Sequence, residues 1–157
     1  MSKYEKMLIT HENIAIKDTF ELPGKFKGFY TDGVILIDKY LSPKEKVEVL
    51  AEEIAHCKFT YGNIIDESEM FNRKLELKAK RMGAEMIITL NGIINAFEHG
   101  IYNLYELAEY FEVSQHYVLN AIKHYKMKLG LSTCYNGYLI RFEPLQVFKY
   151  KNLNEGE

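Results

Sequence analysis

Ser42-Pro43-Lys44-Glu45 is the stretch that most constrains the fold, because it writes the start of a helix in full. Ser42 supplies a hydroxyl N-cap, and Pro43 suits the first helical position, where its missing amide costs nothing. Glu45 stands where its carboxylate can return to the Ser42 amide, which completes a capping box. Val47, Leu50 and Ile54 then recur at helical spacing, so one face of residues 43–58 is expected to be buried. On nearly the opposite side the chain reads E-E-I-A-H, residues 52–56. Glu52 and His56, four residues apart, lie one turn apart on one face and can reach a single ion.

That motif is one letter away from H-E-x-x-H, with Glu52 at the first ligand position. A carboxylate oxygen is an acceptable ligand for zinc, so the exchange preserves the geometry while changing the chemistry. A third ligand has to come from elsewhere, and Glu76 on the next helix is the natural donor. Two carboxylates and one imidazole cancel the charge of a divalent cation, leaving a weaker Lewis acid than a histidine-rich set. An oxygen-rich set also moves preference from zinc towards manganese or iron(II). The bland alternative is that E-E-x-x-H is a charged helix face holding no ion, with Glu76 a solvated helix residue. His11, His99, His116 and His124 read as surface or partly buried histidines, and Cys57 as packing.

Around this helix the pattern alternates between helix and strand. Residues 3–9 suit a short amphipathic helix, and residues 27–38 read as a β-hairpin turning at Thr31-Asp32-Gly33. Residues 60–66 read as a loop. A long helix follows near 68–88, with an apolar stripe of Leu75, Ala79, Met82 and Met86; Glu76 flanks the stripe and is expected to border the core. Asn103 and Ser114 open two short helices joined by Glu112-Val113-Ser114, a helix-turn-helix pattern. Residues 131–134, 138–142 and 147–150 suit strands, with Asn136-Gly137 as a hairpin turn. The polar tail 152–157 is expected to fray. The fold class is therefore α+β, divided as a core over 1–90, a helical module over 91–128 and a C-terminal β-segment over 129–157, together one compact unit.

Composition narrows the function classes. With 157 residues, 47% of them apolar, the chain can bury a normal core. A net charge of −2 gives no broad attraction for nucleic acid or acidic membrane. Two cysteines imply no disulfide framework. No signal-peptide core and no run of about 20 apolar residues is present, so a cytoplasmic location and no membrane partner are expected.

Five stretches in order resemble the ImmA/IrrE family of metallopeptidases, in the form found in phage and mobile elements. They are KGFYTDGVILI (27–37), VLAEEIAH (49–56) followed by YGNI (61–64), ELKAKRMGAEM (76–86) and ELAEYFEVS (106–114). The resemblance implies a zincin-like core in which Glu52, His56 and Glu76 are the metal ligands and Glu53 is the catalytic general base. Glu52 departs from the family's usual histidine. The implied cofactor is one divalent metal, zinc first, with manganese or iron(II) as alternatives. The implied activity is endopeptidase cleavage of a helix-turn-helix repressor of a phage or mobile element. The alternative is a member that keeps the fold and binds a repressor or DNA without cutting; a third reading has the metal only tying two helices together.

DNA binding is the weaker of the partner readings. Between Gly100 and Gly130 three lysines (123, 126 and 128) balance three glutamates (106, 109 and 112). DNA readers place Lys or Arg around the recognition helix to meet phosphates, and this module lacks that excess.

Overall fold

The computed structural model describes residues 1–60 and 69–150. Among them, helix α1 spans Lys3–Thr10, capped by a Ser2–Glu5 capping box. Strands β1 (Ala15–Phe20), β2 (Gly28–Thr31) and β3 (Val34–Asp38) form a sheet ordered β1-β3-β2. β2 and β3 are antiparallel, turning at Asp32 and Gly33, both at positive φ as a type I′ turn requires. β1 lies parallel to β3, Ala15 opposite Val34 and Ile16 opposite Ile35. Tyr4 of α1 donates to Asp18 of β1 at 2.8 Å, fastening helix to sheet.

Helix α2 spans Pro43–Ala55, and its Ser42–Glu45 capping box forms as the sequence requires. Val47, Leu50 and Ile54 are buried beneath β3, whose Ile35 and Ile37 are also buried. The expected helix to residue 58 is shorter: from His56 to Thr60 the backbone widens into a π-helical turn. The His56 amide is already shared between the Glu52 and Glu53 carbonyls, and Phe59 and Thr60 are weak formers of regular helix. Helix α3 (Glu69–Ile87) crosses α2 closely. A Cβ built on Gly83 would stand 3.0 Å from the Ala51 carbonyl carbon and 3.2 Å from the Glu52 nitrogen, tighter than ordinary contact, so this approach favours glycine.

Helix α4 (Leu90–Glu98), which the sequence reading passed over, opens with Thr89 accepting from the Gly92 amide. Helices α5 (Leu104–Phe111) and α6 (Gln115–Leu129) are joined through Glu112, at φ 57. α6 packs through Val118, Ala121 and Tyr125, and the Tyr125 hydroxyl donates to the Ile88 carbonyl at 2.7 Å. Strands β4 (Ser132–Tyr135), β5 (Tyr138–Phe142) and β6 (Leu145–Lys149) form an antiparallel meander turning at Asn136-Gly137. One apolar cluster runs through the whole, from Met7 to Phe142. No described helix is long and apolar enough to cross a membrane. Of the expected loop at 60–66, residue 60 still belongs to the π-turn; its remainder, the matched segment 61–64 and the tail at 152–157 lie outside the described residues.

Between α3 and α6, Glu85 receives Lys128 at 2.8 Å and His124 at 3.1 Å. Burial alone would raise the Glu85 carboxyl, but the Lys128 and His124 hydrogen bonds outweigh it and hold it below the ordinary 4.5. A depressed carboxyl stabilises the fold above its unfolded value, and that contribution disappears as pH falls through the folded one. Glu85→Gln is therefore expected to lose about 1 kcal/mol or less at neutral pH. Its melting temperature should converge on that of the parent below pH 4.5. Thermal melts across pH check both the sign and the convergence.

Candidate metal centre

α2 and the start of its π-turn carry Glu52, Glu53 and His56, and α3 brings Glu76 across from the facing side. One donor atom each from Glu52, His56 and Glu76 lies within 4.8 Å of the other two. His56 Nε2 stands 3.3 Å from Glu76 Oε2 and 4.0 Å from Glu52 Oε1. Donors around a tetrahedral zinc stand about 3.4 Å apart, so the first spacing already matches and the second asks for a small side-chain adjustment. The mixture of one imidazole and two carboxylates is a donor set that a divalent ion accepts.

Glu76 corrects one expectation. It was expected to border the core, yet its side chain is 58% exposed, against 18% for His56 and 26% for Glu52. It faces the open cleft together with Leu75 of the apolar stripe, while Ala79 of that stripe is buried and Met86 packs against the core. An exposed carboxylate retains the rotamer freedom to close on an ion.

The electrostatics of the cluster favour a cation. Burial raises Glu52 to about 7; Lys80 pulls it down, while repulsion and a hydrogen bond from Glu76 push it up. Glu53 is also raised to about 7, first by burial and then by Glu52 and Glu76. Three carboxyls crowded against a half-buried imidazole give an anionic environment that a divalent ion relieves.

The cluster opens into a cleft of about 600 Å³, walled by β2 on one side and α3 on the other. Two features of it escaped sequence reasoning. A Cβ on Gly28 would lie 2.5 Å from Val49 Cγ1 and 3.1 Å from Glu53 Cγ, so β2 rests directly on the Glu53 side chain. The signal was available, because glycine inside a strand marks close approach. Gly83 inside a helix carried the same message for the α2–α3 crossing. β2 is also the edge of its sheet, and Phe26, Phe29 and Tyr30 line the cleft beside it.

Compared with known families, residues 7–123 match the Peptidase M78 model, described as an IrrE N-terminal-like domain. No curated protein matches the chain.

Proposed function

Since the chain belongs to the M78, ImmA/IrrE-type family of metallopeptidases, we propose that it is a metal-dependent endopeptidase whose Glu52, His56 and Glu76 hold one divalent ion. Zinc is the first candidate, and the extra carboxylate makes manganese or iron(II) the alternatives. The observation that carries this reading is the convergence of those three donors from two helices within 4.8 Å.

When bound, the ion supplies Lewis acidity that acidifies water and polarises a peptide carbonyl. The remaining chemistry belongs to the protein. The edge of β2 offers backbone hydrogen bonds to an extended peptide, which places the scissile bond over α2. Phe26 and Phe29, both exposed at the cleft, take apolar side chains of that peptide. Glu53, beside Glu52 on α2 and lining the cleft, accepts a proton from the attacking water and returns it to the leaving amine. Gly28 keeps β2 low enough to hold Glu53 in place.

The substrate we assign is a helix-turn-helix repressor of a phage or mobile element. Incubation of the zinc-loaded protein with a panel of such repressors, followed by intact-mass analysis, is the direct test. A single cut, lost with a chelator and recovered with zinc, is expected. A second reading draws on Glu52 at the first ligand position: a member that binds its repressor without cutting. Stable co-elution with an uncut repressor in the presence of zinc, manganese and iron(II) would select that reading instead.

A further inference from the structure

Behind Glu52 a second cavity of about 620 Å³ lies between α2, α3 and α6, sharing Lys27, Val49 and Glu52 with the catalytic cleft. It runs into a third, of about 350 Å³, through Leu77, Arg81 and His124. The result is a continuous groove along α3 that ends at the proposed metal centre. Its walls include two exposed apolar side chains, Leu77 at 46% and Met127 at 59%. Lys74, Lys78 and Arg81 recur at positions i, i+4 and i+7 of α3, which places all three on one face. Lys80, also on α3, and Lys123 on α6 add charge to the walls of the groove.

Four carboxylates, Glu45, Glu48, Glu52 and Glu85, share these walls with seven lysines and arginines, and Lys80 acts on Glu52. Glu45 pairs with Lys27, Glu48 accepts from the Ser114 hydroxyl, and Glu85 holds Lys128 and His124. Among the described residues, no carboxylate forms an ion pair with Lys74, Lys78, Arg81 or Lys123. On a chain of net charge −2, this is a local cationic excess beside apolar surface.

We propose that this groove docks an acidic segment with interspersed apolar residues on the protein substrate, and so delivers the chain to the cleft at Glu52. Charge complementarity of this kind sets partner choice and encounter rate, while the apolar anchors supply affinity. Leu77 and Met127 favour a peptide over a phosphate backbone, as does the groove's continuity with the cleft. The endopeptidase reading is needed only to call the partner a substrate.

The test is fluorescence anisotropy on the full chain, with and without zinc. The probes are two labelled peptides with leucines at helical spacing, one carrying glutamates at the other positions and its counterpart lysines. The glutamate peptide is expected to bind at least about tenfold tighter, with affinity falling as salt rises. Both Lys74 and Lys78 are exposed, so the double variant Lys74→Glu/Lys78→Glu should melt as the parent does. It should lose affinity by about tenfold. Glu53→Gln should bind like the parent, so a failed cleavage reaction and a failed docking groove show up separately. Equal affinity for the two peptides, or undiminished binding by the double variant, would overturn the proposal. Displacement of the glutamate peptide by a short DNA duplex would overturn it in favour of a nucleic-acid groove.

Discussion

Glu53→Gln is expected to bind metal at the parent's stoichiometry while cleaving its substrate roughly 10²–10⁴ times more slowly, the usual contribution of a positioned general base. Glutamine keeps the shape that β2 packs upon, with Gly28 against Val49 and Glu53, so the fold should be undisturbed. It cannot accept the proton that attack by water releases. Glu53 stands one residue from Glu52 and about 100° round the helix, which gives the two proposed roles, holding the ion and moving the proton, to different side chains. Metal content and single-turnover cleavage, measured on the same preparation, separate the two roles. Cleavage at the parent's rate would remove Glu53 from the mechanism.

Gly83→Ala should disturb both stability and metal binding from a position that touches no ligand side chain. Its added methyl would meet the backbone of Ala51 and Glu52 at 3.0–3.2 Å, where no flexible side chain can yield. Overpacking of this kind costs about 1–3 kcal/mol, or a fall of roughly 3–10 °C in melting temperature for a chain of this size. The strain is relieved by moving α3 away from α2, which carries Glu76 away from His56 and Glu52. Zinc affinity, read by competition with a chromophoric chelator, should therefore weaken by about tenfold or more. Normal affinity in a destabilised Gly83→Ala would show that the donors are positioned independently of this crossing.

The parts of the fold that rest on local chemistry were readable from the chain. The Ser42–Glu45 capping box and the Asp32-Gly33 and Asn136-Gly137 turns carry their backbone requirements in their own side chains. The i, i+4 relation of Glu52 and His56 is likewise local, and Glu76 followed from the need for a third donor on the next helix, with the ordered resemblance pointing to the same residue. Elements that depend on distant partners were not readable. β1 reads AIKDTF, six residues with Ile16 as the clearest inward position, and its parallel pairing with β3 is set across the intervening β2. α4 had a usable signal in Thr89 followed by Leu90, Ile93, Ile94 and Phe97, but its apolar run was not read as a separate helix. Glu76 was misplaced for another reason: helical periodicity gives its angle round α3, whereas its exposure depends on the width of the cleft facing it.

Metal content of the purified chain tests the central claim most directly. Protein isolated without chelator near neutral pH and measured by elemental mass spectrometry should carry about one divalent ion per chain. His56→Ala and Glu76→Ala, each confirmed folded by circular dichroism, should carry almost none. A parent protein at background metal content, even after dialysis against zinc, manganese or iron(II), would contradict the account. So would variants that retain the ion as well as the parent does.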